Sequence, residues 1–245
     1  MLRAIKLITF DAMDTLFTTK CHPAITYFLT AKTLYPHLES TEKSSDKIKD
    51  SMKQNFRSAF SKHYKDYTEK GKSRDTCKEF WHNVISETLN ESGADLKNEE
   101  MRTVTDKLYT DFGTSLNWEV FSEVDDTLKK LHSMNMRLGI ISNFDERLDK
   151  VLINLDLKKY FEFIVNPPVT NGIGKPDIRI YQCMAEKFSN CSPNEILHIG
   201  DSLELDYNAA TKAGINALLL DRSCKMKEKN YQTISSLNDL IIDYK

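Results

Sequence analysis

The sequence lacks a charge excess of either sign. Its 34 basic and 36 acidic residues leave a formal net charge of -2, so no global field marks nucleic acid as a main partner. Long apolar runs are missing too: none approaches the ~20 residues that cross a bilayer. The strand-like pattern from about Ile5 leaves no room for a secretory h-region or a transit helix. The expectation is therefore a cytoplasmic protein with neither a membrane nor a nucleic-acid partner. Cysteine is sparse, and Cys21, Cys77, Cys183, Cys191 and Cys224 form an odd set without CxxC spacing. That set is neither a disulfide framework nor a zinc knuckle, and it suits a reducing compartment. Internal repeats and low-complexity tracts are also absent.

What is present is an ordinary globular balance, 40% hydrophobic and 29% charged over 245 residues, a length that suits one domain carrying a large insertion. Five short apolar runs recur: "AIKLITF" ending at Asp11, "RLGIIS" ending at Ser142, "FEFIV", "EILHIG" before Asp201, and "NALLL". Their continuous hydrophobicity predicts strands buried on both faces. Helical spacing separates them. Val120, Phe121, Val124, Leu128 and Leu131 share a face, as do Leu148, Val151, Leu152 and Leu155, and then Ile178, Tyr181, Ala185 and Phe188. Asp145 and Asp177 stand where helix starts need an acceptor, and Gly214 stands where a helix end needs a left-handed residue. Alternating strands and helices predict an α/β fold, a doubly wound parallel sheet of Rossmann-like type.

Residues 18–115 break that rhythm. They lack strand-like runs and carry apolar residues at helical steps: Ile48, Met52, Phe56 and Phe60; Trp81, Val84, Ile85 and Leu89; Met101, Val104, Leu108 and Phe112. Polar breaks at 39–45 and 69–74 divide the stretch into about four helices. The expected organisation is a core of residues 1–17 and 116–245 with a helical cap inserted at 18–115.

Ligands of an open parallel sheet bind beyond the carboxyl ends of its strands. Asp11, Ser142 and Asp201 each stand at or just past such an end, so they are expected to meet at one edge, and Lys175 in "NGIGKPD" can reach it. "GDSLELD" adds Asp206. Acids gathered that closely repel unless a cation sits among them, and hard oxygen ligands suit Mg²⁺.

The ordered set of Asp11 with Thr15, then Ser142, then Lys175, then "GDSLELD" resembles the four motifs of the haloacid dehalogenase superfamily, over the whole core and with a helical cap where that superfamily often has one. "DAMDTL" in place of the commoner DxDGTL resembles the branch that includes haloacid dehalogenase-like hydrolase domain-containing protein 3 and the rhythmically expressed gene 2 protein. The resemblance implies that Asp11 is a nucleophile that forms an aspartyl-phosphate. It implies Mg²⁺ held by Asp11, the backbone carbonyl of Met13 and Asp201, with Asp206 in support. It further implies a phosphate bound by Ser142, Asn143 and Lys175, and Thr15 bracing the loop. The implied ligand is a small phosphorylated molecule.

Met13 departs from this pattern. Most phosphatases of the superfamily place an acid–base Asp there, and losing such a group costs ~10² to 10⁴ in rate. Asp14 is an imperfect substitute. If strand geometry continued past Asp11 it would face away from residues 11 and 13, which leaves it structural hydrogen bonds or a helix cap. Two other readings stand beside the phosphatase: a weak or inactive protein that binds a phospho-ligand or partner, and a 2-haloacid dehalogenase. The second needs no metal, so the acids at 201 and 206 argue against it.

Overall fold

The computed structural model describes residues 4–40, 46–69, 74–187, 191–225 and 231–242. The chain divides into two compact units, Met1–Thr18 with Glu119–Lys245, and Thr19–Trp118. In chain order, β1 (Leu7–Phe10) and β2 (Phe17–Thr19) lead into α1 (Pro23–Leu34), α2 (Asp46–Glu69), α3 (Arg74–Glu91) and α4 (Asn98–Asp111). There follow β3 (Trp118–Val120), α5 (Val124–Ser133), β4 (Arg137–Ile141), α6 (Leu148–Asn154), β5 (Phe163–Val165) and α7 (Arg179–Lys187). Last come β6 (Ile196–Gly200), α8 (Ala209–Lys212), β7 (Asn216–Leu220), β8 (Thr233–Ile234) and α9 (Asp239–Ile242).

The first unit is built on a six-stranded sheet in the order β5-β4-β1-β6-β7-β8, with every pairing parallel. Parallel strands need helical crossovers that cover both faces, which is why β1 and β6 are buried at every position. Leu7, Ile141, Val165, Ile180, Tyr181, Met184 and Ile196 pack into one cluster there. The five predicted strands are all present. β8 escapes sequence reading because it is only two residues long, and β2 pairs with β3 where no strand was expected.

Helix starts differ in detail. Val120 closes β3 rather than opening the helix, which begins at Val124. Ile178 precedes α7 and is partly exposed, while Phe188 lies outside the described residues. Asp145 and Asp177 accept the backbone N–H of Arg147 and Arg179 at 3.0 Å each, and Gly214 is left-handed at φ +78°.

The second unit holds α1 to α4. Of the breaks expected at 39–45 and 69–74, residues 41–45 and 70–73 lie outside the described residues, while Glu69 ends α2 and Arg74 opens α3. Ala59, Tyr67, Cys77, Phe80 and Val84 form a core against Phe56, Phe60, Tyr64 and Trp81. Aromatic pairs dominate it: Tyr67 and Phe80 stack at 4.8 Å, and Phe60 and Tyr64 at 5.4 Å. Such pairs add about 0.5–1.5 kcal/mol each beyond the area that they bury. Among the described residues no helix is long and apolar enough to cross a membrane, and no disulfide joins any of the cysteines.

Candidate active site

The sheet order sets β4, β1 and β6 side by side, so the residues that follow them share one edge. Asp11 extends β1 by one step, its amide donating to the Ile199 carbonyl at 2.8 Å, and Ser142 extends β4 with its amide on Val165 at 3.1 Å. Asp201 follows Gly200 directly at the end of β6. Carboxylate oxygens of Asp11, Asp201 and Asp206 all lie within 4.8 Å of one another.

Lys175 enters this group from the loop after β5. Its ammonium is 2.6 Å from Asp11 Oδ1 and 2.5 Å from Asp206 Oδ1, with the side chain almost wholly buried. The loop is pinned by Asn143, whose side-chain amide donates to the Lys175 carbonyl at 2.8 Å and accepts the Lys175 amide at 2.7 Å. Both polar atoms of the Asn143 amide are therefore spent on placing the lysine.

Asp206 is carried by a π-helical turn, Leu203–Asn208, which begins at Ser202. Its Oδ2 accepts the Ser202 amide at 3.0 Å, and its Oδ1 faces His198 Nε2 at 3.1 Å. Gly200 makes the approach possible: a Cβ there would stand 2.2 Å from Asp206 Cγ. Glu204, in the same motif, is exposed and donates nothing to the cluster; it accepts a hydrogen bond from Asn208 at 3.0 Å.

The electrostatics follow from one ammonium shared by two buried carboxylates. Burial pushes Lys175 down, but Asp11 and Asp206 outweigh it and hold the ammonium well above its ordinary range. Burial pushes Asp206 up, yet Lys175 and His198 more than reverse this and keep it well below the carboxylate range. Asp11 is raised above 3.8: burial comes first, Lys175 opposes it, Asp206 adds to it, and hydrogen bonding to Lys175 and Ser142 helps hold the charge. Asp201 is pushed up to about 7, first by desolvation and then by the negative charges of Asp11, Asp206 and Asp14. Because Asp201 is exposed, water restores part of its hydration, and repulsion among the acids is the cause that carries weight. Burial holds the His198 imidazole below its ordinary 6.5.

When all three carboxylates are ionised, one ammonium leaves two negative charges at this edge, and the raised pKa of Asp201 is the sign of that excess. A small divalent cation with a preference for oxygen matches both the charge and the donor set, so Mg²⁺ fits Asp11 and Asp201 directly, with Asp206 holding the lysine beside them.

The turn after Asp11 is not a strand. Asp14 is left-handed at φ 58°, its amide donates to the Phe17 carbonyl at 2.7 Å, and its Oδ1 accepts the Thr18 hydroxyl at 2.7 Å. Strand alternation thus ends at Asp11, and the Asp14 charge reaches Asp201. Met13 is 36% exposed. Thr15 is fully buried; its carbonyl accepts Arg222 at 2.8 Å, and its hydroxyl has no partner among the described residues. The Arg222 guanidinium also meets Glu123 at 2.5 Å and lies 3.7 Å over the Phe121 ring.

Sequence reasoning missed Thr9, Gly200, Arg222 and the positioning part of Asn143. The legible signal was for Thr9 and His198: polar residues inside two apolar strands, which are register partners in the sheet.

Residues 5–214 match the sequence profile of a family described as hydrolase, haloacid dehalogenase-like hydrolase. The chain is 29% identical over 217 residues to human haloacid dehalogenase-like hydrolase domain-containing protein 3, covering 88% of this chain and 82% of that one. It is 31% identical over 242 residues to the rhythmically expressed gene 2 protein of Drosophila melanogaster, covering 94% and 88%. Among solved structures, YfnB of Bacillus subtilis, described as a HAD-hydrolase bound to magnesium, superposes with a TM-score of 0.70 at 19% identity, over 98% of both chains. The 2-haloacid dehalogenase of Pseudomonas syringae gives 0.65 at 20% identity, over 98% of this chain and 100% of that one. At such identities the structural likeness speaks for the fold.

Proposed function

The chain belongs to the haloacid dehalogenase-like hydrolase family, and from that premise we propose that it is a Mg²⁺-dependent phosphatase acting on a small phosphorylated molecule. The observation that carries the reading is the Lys175 ammonium shared between Asp11 and Asp206, with Asp201 in the same cluster as a third acid that one ammonium cannot balance. A 2-haloacid dehalogenase needs no cation, and this acid count disfavours that reading.

Asp11 attacks phosphorus through a carboxylate oxygen, the bond to the leaving oxygen breaks, and an aspartyl-phosphate forms. Lys175, already on Asp11 Oδ1, offsets charge on both the nucleophile and the phosphoryl group. Ser142 and the backbone N–H groups beside it hold the phosphoryl oxygens. Water then splits the acyl phosphate, which frees inorganic phosphate and returns Asp11. Mg²⁺, when bound by Asp11, the Met13 carbonyl and Asp201, supplies positive charge that lets two anions meet. The helical unit, residues 19–118, is proposed as the cap that selects the substrate.

Met13 carries no proton to the leaving oxygen, so leaving groups that depart as stable anions are favoured. The same residue supports a second reading, a binder of phospho-ligands that does not turn them over. One screen separates them. Turnover of an aryl phosphate that requires Mg²⁺ and vanishes in Asp11→Asn supports the phosphatase. Binding of a phosphate analogue without turnover across a broad panel supports the binder, and chloride release from a 2-haloacid in EDTA supports the dehalogenase.

A further inference from the structure

Beneath the carboxylate cluster the sheet holds a histidine that no step of the proposed reaction uses. His198 is fully buried in β6, in contact with Asp206 on one side and Thr9 on the other. A polar ring in a strand buried on both faces is costly unless each nitrogen is satisfied.

The directions of these hydrogen bonds follow from the partners. An ionised carboxylate only accepts, so at 3.1 Å from Asp206 Oδ1 the proton sits on His198 Nε2. Nδ1 of the neutral ring is then bare, and the Thr9 hydroxyl at 2.9 Å donates to it. The other acceptor near Thr9, the Leu197 carbonyl, is 3.5 Å away, a long bond that competes only weakly for that proton. Thr9 and His198 are paired across β1 and β6, so the backbone itself sets this contact. The Tyr181 ring and the imidazole meet edge to face, with 5.2 Å between centroids, and the Tyr181 hydroxyl donates to the Leu205 carbonyl at 3.1 Å, which fixes the ring's surroundings.

We propose that His198, oriented by Thr9, is a positioning residue: as the Nε2–H tautomer it pins Asp206 Oδ1, and through Asp206 it holds the Lys175 ammonium against Asp11. The inference deepens the phosphatase reading and rests on it for the part played by Asp11. Asp206 Oδ1 takes the ring N–H and the ammonium together, while Oδ2 takes the Ser202 amide. Removing the ring donor takes away one of the three bonds that hold this carboxylate, and loosens the placement of the lysine with it.

The test begins on the wild-type protein with nitrogen NMR of labelled histidine at neutral pH. The expected result is a proton on Nε2 and a bare Nδ1 for His198; a proton on Nδ1 overturns the proposal. This readout needs neither turnover nor Mg²⁺, so it decides the point even if the phosphatase reading fails. In kinetics with an aryl phosphate at saturating Mg²⁺, His198→Phe is expected to lower kcat about 10- to 100-fold, the range for groups that orient the first contacts of a site, with KM moving far less. His198→Gln keeps an N–H donor and recovers part of the loss. Thr9→Val moves kcat in the same direction as His198→Phe, and Thr9→Ser recovers it, which keeps the test open should His198→Phe fail to fold. Equal losses in His198→Phe and His198→Gln, or in Thr9→Val and Thr9→Ser, would sink the proposal.

Discussion

Lys175 Nζ stands 2.6 Å from Asp11 Oδ1 across 164 residues of sequence, and both side chains are nearly closed to water. A contact of such long range between buried charges exists only because the strands and loops that carry them end at one edge.

Removing that ammonium leaves two buried acids facing each other. Lys175→Met is expected to lower stability by about 3–5 kcal/mol, the cost of breaking a buried ion pair from one side, and to abolish aryl phosphate turnover. Urea unfolding and a rate assay on the same preparation check it. A variant as stable as the wild type would contradict the charge balance described for the site.

Met13→Asp installs a proton donor at the exposed position two residues after Asp11. Hydrolysis of alkyl phosphates is expected to rise by ~10² or more, while aryl phosphates change little because their leaving oxygen needs no proton. The ratio of the two rates is the measurement. An equal rise for both substrates would count against leaving-group protonation as the missing function.

Gly200→Ala forces a methyl to within 2.2 Å of Asp206 Cγ. The carboxylate must move, so a loss of about 1–3 kcal/mol from overpacking is expected, together with weaker coupling between Lys175 and Asp11. Thermal unfolding reports the first, and a crystal structure of the variant reports the second through the Lys175–Asp206 distance.

Away from the site, Glu195 meets Lys6 at 2.5 Å and accepts the amide and hydroxyl of Ser192 at 2.9 and 2.8 Å. Lys6 first, and then Ser192, draw its carboxyl down to about 2 from an ordinary 4.5. A carboxyl depressed by folding adds stability above its unfolded value and loses it as pH falls through the folded one. Stability contributed by Glu195 is therefore full above about pH 4.5 and fades towards pH 2. Glu195→Gln should lie below the wild type at neutral pH and approach it in acid. Parallel stability curves for the two proteins over that range would refute the assignment.

Much of this was legible along the chain because strands buried on both faces must be apolar at nearly every position. "LITF" and "ILHIG" announce β1 and β6 without ambiguity. The acids that interrupt these runs at Asp11 and Asp201 stand out for the same reason. β2, β3 and β8 were not legible, since two or three residues carry too little pattern. Asp14 makes the structural hydrogen bond expected of it, with Thr18, but from a turn where its own φ is positive, so strand alternation does not fix its direction.

By itself the sequence determined the class of fold and the chemical kinds of residue at the strand ends, since periodicity and polarity are local properties. Only the tertiary structure decided who touches whom. Asn143 grips the Lys175 backbone, Gly200 yields room to Asp206, and Thr9 meets His198 across two strands. Such pairings depend on register and loop path, which many residues set together and no short stretch encodes.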